Sequence, residues 1–245
     1  QNNFCVAKYE ARVGGGMAES KPDGVATVNI SRDAAQTACE LKGAKYRLIN
    51  NGEWQTVART IEAQTTNWTG GAVGSGTLVR GWANDNSGLA LDSLAAHKYN
   101  SDANTGSTSG ALVYRRTHNI VYGDIWDFGG NAFEWALSDN TNGSPFGTSG
   151  YINTFTASIP AFSGPIDFVE GTAKLHFGPS GTAYTLLSPD HGGMGYATFG
   201  NSSSAIIRGG GYTESPTVHG IFSVDTTNDK STTRNDLGFR CVYYP

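Results

Sequence analysis

Two carboxylates, Asp127 and Glu134, bracket the segment Asp127-Phe128-Gly129-Gly130-Asn131-Ala132-Phe133-Glu134-Trp135. Carboxylates are hard oxygen donors, and carbonyls presented by a glycine-bent backbone can complete the oxygen shell that calcium prefers. Glu134 can equally cap or pair within its own loop, and the residues alone leave both readings open. Two further glycine-led segments stand out: Arg208-Gly209-Gly210-Gly211-Tyr212, and Gly238-Phe239-Arg240-Cys241 at the head of the last strand. Other chemistry finds no pattern. The histidines His97, His118, His176, His191 and His219 are scattered, with no HExxH or paired spacing for a metal. No GxSxG elbow occurs. Gly70 to Gly76 and Gly192-Gly193-Met194-Gly195 neither follow a strand nor open a helix, so they are not dinucleotide loops. Nothing in these spacings specifies a reaction.

The elements that would hold these segments are legible at both ends of the chain. Phe4 to Ala11 alternates in the manner of a strand. Ser31 reads as an N-cap for a helix whose apolar face is Ala34, Ala35, Ala38, Cys39 and Leu41, with Gly43 ending it. A second helix fits Asn51 to Glu62, where Trp54, Val57, Ala58 and Ile61 recur at helical spacing. Phe239 to Tyr244 alternates again and closes the chain as a strand. Between them, residues 66–110 and 140–205 are rich in Gly, Ser, Thr and Asn, and loops of that length usually carry function. There is no internal repeat and no linker, so residues 1–245 are expected to form one domain of α+β class.

Composition narrows the function. Thirty-three glycines among 245 residues is nearly twice the roughly 7% of an average chain, which implies many tight turns and shaped loops. A net charge of −4 argues against nucleic acid and anionic membranes as partners. No apolar run approaches the roughly 18 residues of a membrane span, and no charged-then-apolar leader opens the chain. The cysteines, Cys5, Cys39 and Cys241, lack CxxC spacing. Cys39 is expected to be a small buried hydrophobe on its helix. Cys5 and Cys241 lie in the first and last strands and could be bridged if those strands pair, although free buried cysteine is the commoner state.

Taken in order, these segments resemble the formylglycine-generating-enzyme, or sulfatase-modifying-factor, family. The matching residues are Lys8 to Ala11, Arg47-Leu48, Glu53-Trp54, Gly130 to Trp135, Arg208 to Gly210 and Gly238 to Arg240. The resemblance implies a C-type-lectin-type fold with two helices and with adjacent, antiparallel terminal strands. It also implies a structural calcium site made of Asp127, the Gly130 and Ala132 carbonyls, and Glu134. The family's oxidases need a reactive cysteine pair upstream of the GFR strand, at positions falling near Thr217 and Phe222 here, and neither is cysteine. Without thiols there is no thiol chemistry and no copper site. The histidine cluster of the related iron enzymes is missing too, so no redox cofactor is expected.

The layout that remains is similar to the variable proteins of diversity-generating retroelements, which rewrite adenine-containing codons in a segment ending near GFR. Arg208 to Cys241 has that layout, with Gly220-Ile221-Phe222 as an interior piece. The residues expected to face outward and bind are Gly211, Tyr212, Thr213, Ser215, Thr217, His219, Asp225, Thr227, Asn228, Asp229, Thr232, Arg234 and Asn235. Randomised AAC-type codons yield such a mixture and cannot yield Lys or Glu, so Glu214 and Lys230 are fixed or arise otherwise. The expected function is recognition of a macromolecule, a protein, with Tyr212 as a rigid aromatic anchor among adaptable polar groups. Display at a cell surface or virion tip follows from the resemblance alone. Two alternatives are weaker: a calcium-dependent sugar binder would want an EPN or WND triplet, which is absent, and a divergent oxidase lacks its cysteines.

Overall fold

The computed structural model describes residues 3–22, 25–81, 117–137, 162–165, 177–181, 191–199, 205–213 and 219–245. Helix α1 (Arg32–Glu40) starts where expected, with the Ser31 hydroxyl accepting from the Ala34 N–H. Its buried face is narrow, Ala35, Ala38 and Cys39, while Ala34 and Leu41 are exposed. Small side chains let this helix lie close against the strands beneath it. Helix α2 (Asn51–Glu62) matches the periodicity and buries Trp54, Val57, Ala58 and Ile61. A reciprocal cap fixes its start: the Asn50 side chain accepts from the Glu53 N–H at 2.8 Å, and the Glu53 carboxylate accepts from the Asn50 N–H at 2.9 Å.

Three short strands, β1 (Cys5–Val6), β4 (Tyr46–Leu48) and β13 (Cys241–Tyr243), form an antiparallel sheet in the order β1-β13-β4. The terminal strands therefore pair, as the resemblance implied. Two hairpins stand apart: β2 (Arg12–Gly14) with β3 (Met17–Glu19), and β5 (Thr117–Ile120) with β6 (Gly123–Trp126). A second sheet holds β7 (Phe133–Ala136), β8 (Phe162–Pro165), β9 (Tyr196–Phe199), β10 (Ile206–Arg208), β11 (Val224–Asp225) and β12 (Leu237–Phe239). Its order is β12-β7-β10-β11-β9-β8, with β12 parallel to β7 and β11 parallel to β9. All residues of β7, β10 and β12 are buried. Strands covered on both faces lose the in–out alternation that a half-exposed sheet would show.

Three expectations need correcting. The closing strand is not continuous, because the chain leaves the larger sheet at Phe239 and enters the smaller one at Cys241. Arg240 marks the break: its buried guanidinium reaches Glu134 in β7 and the carbonyls of Ala7 and Trp126. The opening strand is only Cys5–Val6, although Ala7 and Ala11 still donate backbone hydrogen bonds to Cys241 and Phe239. Cys39 is not a free thiol: it is joined to Cys241, with Cα atoms 5.7 Å apart. Register explains the choice. Cys5 lies opposite Tyr243 rather than Cys241 and stays free and exposed, while α1 lays Cys39 against the last strand. The long loops expected over 66–110 and 140–205 fall largely outside the described residues.

Candidate recognition surface

The frame of the site is a buried ion pair. Arg240 and Glu134 are both 0% exposed, and the guanidinium grips the carboxylate with Nη2 at 2.8 Å and Nε at 3.1 and 3.2 Å. Arg240 Nη1 and Nη2 also donate to the carbonyls of Ala7 and Trp126, both at 2.9 Å. One side chain thus ties the residue after β1, the end of β6, β7 and the β12–β13 junction together. Breaking such a pair by removing one partner typically costs about 3–5 kcal/mol, because the other charge is left buried. Beside it, the buried Glu10 carboxylate accepts from the Ala132 N–H at 3.0 Å and from the Asn131 side-chain amide. Burial, then the charges of Glu134 and Asp127, push the Glu10 carboxyl well above the usual range, against the pull of Arg240 and the Ala132 N–H. Burial also raises Glu134, opposed by the Arg240 charge and its hydrogen bonds.

These contacts bear on the calcium ligands that the resemblance implied. Asp127 and Glu134 are buried within a few residues of each other, but both Glu134 oxygens face the Arg240 guanidinium. Among the described residues, no group of three or more His, Cys, Asp or Glu side chains is arranged to hold a metal. Of the expected set Asp127, Gly130, Ala132 and Glu134, the Glu134 carboxylate is taken up by Arg240. Glu134 takes the other role open to it, pairing within the fold. The loop instead makes close approach possible: a Cβ on Gly129 would sit 2.6 Å from the Ile221 backbone nitrogen. That places Ile221 and Phe222, both fully buried, in the core against Trp54, whose indole N–H donates to the Ile221 carbonyl at 2.8 Å.

On this frame, the outward residues expected from sequence differ in exposure. Thr213, Thr227, Asp229 and Asn235 are exposed, and Tyr212, Asp225, Asn228, Thr232 and Arg234 are half-buried. Two are not outward. His219 is 0% exposed in the core-threading stretch. Gly211 is buried, and a Cβ there would lie 2.5 Å from the Phe133 ring, so neither position is free to vary. Ser215 and Thr217 lie outside the described residues.

Asp236, buried and not singled out from the sequence, organises one half of the surface. It receives Arg234 Nε and Nη2 at 2.9 Å each and the Thr213 hydroxyl, while the Tyr212 hydroxyl donates to the Asn235 carbonyl at 3.3 Å. Arg234 also lies over the Phe133 ring, 4.6 Å from its centre. The other half is built from two similar turns. Asp225 Oδ1 accepts from the Thr227 N–H at 2.7 Å and hydroxyl at 2.6 Å, and Asp229 Oδ1 accepts from the Ser231 N–H at 2.8 Å and hydroxyl at 2.7 Å. Such side-chain-to-backbone bonds two residues on fix loops that have no sheet partner. Asn228 donates to Asp225 Oδ2 at 2.7 Å. Lys230 reaches back to Asp33 on α1 at 2.8 Å, anchoring the second turn to the helix.

The halves meet at a groove of ≈ 130 Å³ with Phe133, Tyr196 and Val224 as its apolar lining and Thr198, Ser223, Asp225 and Arg234 as its polar groups. Sequence reasoning met Phe133 only as part of the Asp127–Trp135 segment and did not find Tyr196 or Thr198. They arrive through the parallel pairing of β9 with β11, which leaves no local signature. The spacing Arg234-x-Asp236 is the one local signal that could have pointed to this half of the surface. No thiol lies at this surface, since Cys39 and Cys241 are joined and Cys5 sits in β1.

A model of the sulfatase-modifying factor enzyme 1-like domain matches residues 6–244 of the chain. Among solved structures the chain is similar to Treponema denticola variable protein 1, at 14% identity and a TM-score of 0.41, covering 98% of this chain and 77% of that one. No curated protein sequence matches it.

Proposed function

We propose a binding function, not a catalytic one, for this chain, which belongs to the sulfatase-modifying factor enzyme 1-like family. Its architecture is α+β, of the C-type-lectin type. On that scaffold it acts as a variable protein of the diversity-generating-retroelement kind, recognising a macromolecule, a protein, through the surface of its C-terminal segment. The observation that supports this most is the division of labour within residues 205–241. Ile206, Ile207, Ile221, Phe222, Val224, Leu237 and Phe239 are buried, whereas Thr213, Thr227 and Asn235 in the same segment are exposed. Such a division lets outward residues change at a cost of about 0.5 kcal/mol each while the fold stays intact. Turns locked by Asp225 and Asp229 hold the surface in one shape, which reduces the ordering cost of binding.

The test randomises Tyr212, Thr213, Thr227, Thr232 and Asn235 together and displays the library on phage. Most members are expected to fold with melting temperatures close to that of the parent, and selection against a model protein to yield specific binders. General loss of folding would refute the reading, as would failure to select any binder. A gene neighbourhood holding a reverse transcriptase and a near-copy of the Arg208–Cys241 coding segment, differing at adenines, would support it independently.

A further inference from the structure

We infer that a slot of ≈ 250 Å³ beside β13, remote in composition from the recognition surface, binds a small monocarboxylate with an apolar body. Its walls include Val6, Ala11, Ala18, Tyr46 and Tyr243, with Lys42 at its edge. None of its lining residues belongs to the surface described above, so the inference stands or falls separately from the proposed function. The walls are held from two sides. Tyr46 and Tyr243 face each other across paired strands with ring centres 4.8 Å apart, and Cys241, also in the lining, is tied through its disulfide to α1. A slot so braced does not need to be ordered by its ligand.

Charge decides the ligand's head group. Glu19 lies in the lining, but its carboxylate is held by Arg12 at 2.8 Å and Lys21 at 3.0 Å. Lys42 carries its ammonium 5.3 Å from the centre of the Tyr46 ring, and among the described residues no carboxylate pairs with it. Two cations thus neutralise the one carboxylate of the lining, and Lys42 remains as the cation of the slot on a chain whose net charge is −4. An anionic head meets Lys42 at the rim while an apolar body fills the slot. At ≈ 250 Å³ the space is below the roughly 300–1,000 Å³ of pockets for drug-sized ligands, so the body is a single ring or short branched chain.

The experiment titrates the intact, oxidised protein with phenylacetate and with 2-phenylethanol, its neutral counterpart, by ligand-observed NMR. Phenylacetate is expected to bind at about millimolar concentration and 2-phenylethanol more weakly. Lys42→Gln, at an exposed position, should weaken phenylacetate about fivefold, the size of a good exposed ion pair, and leave 2-phenylethanol unchanged. Ala7→Phe, which fills the slot, should abolish both; if that variant does not fold, Lys42→Gln alone decides. Absence of phenylacetate binding, equal binding of the two probes, or indifference to Lys42→Gln overturns the inference.

Discussion

Reducing the Cys39–Cys241 bridge should destabilise the protein far more than any surface substitution. The two residues are 202 apart in sequence, so the bond closes almost the whole chain into a loop. In the loop-entropy account the cost of closure grows with the logarithm of loop length, which for a loop of this size comes to about 5 kcal/mol. In that account the loss arises mainly in the unfolded chain, which gains the freedom the bond had removed. For a domain of this size each kcal/mol moves the melting temperature by roughly 2–4 °C, so reduction should lower it by roughly 10–20 °C. The assay compares thermal melts by circular dichroism with and without reductant, alongside thiol counting by mass spectrometry. Alkylation in denaturant without reductant should modify Cys5 alone, and all three cysteines after reduction. Three reactive thiols before reduction, or a shift of less than about 3 °C, would refute the reasoning.

Two further outcomes follow from particular contacts. Gly211→Ala forces a methyl group against the Phe133 ring and should cost about 1–3 kcal/mol in urea unfolding, whereas Asn235→Ser, at an exposed neighbour of the same surface, should stay within about 0.5 kcal/mol; equal effects would remove the distinction between frame and surface. Hydrogen bonds from Lys230 and then Arg32 hold the Asp33 carboxyl below its ordinary value. A depressed carboxylate contributes stability that is present above its unfolded value, about 3.9, and lost as pH falls through its lower folded value. Asp33→Asn should therefore flatten the acid limb of a stability–pH curve below about pH 4, and an unchanged acid limb would show that the turn is not anchored there.

Local patterns in the sequence determined what local physics determines. The apolar spacing of Trp54, Val57, Ala58 and Ile61 can be satisfied by one helix face, and α2 begins and ends where that spacing does. Ser31 before an alanine-rich run marks α1 for the same reason. The pairing of the terminal strands, the interior piece at Ile221 and Phe222, and the exposure of Thr213, Thr227, Asp229 and Asn235 were also readable, because each contrasts apolar residues with polar ones nearby. What tertiary structure alone decided is the pairing of groups far apart in the chain. Glu134 could have faced a metal or a cation until Arg240, 106 residues away, was brought to it. Cys241 was expected to bridge to Cys5 if to anything, yet register sets Cys5 opposite Tyr243 and the bond is made to Cys39. Gly211 and His219 look like ordinary polar-loop residues, yet both are buried, one against the Phe133 ring and one in the core-threading stretch. A side chain's direction in a loop is set by what lies across from it, and no periodicity records that.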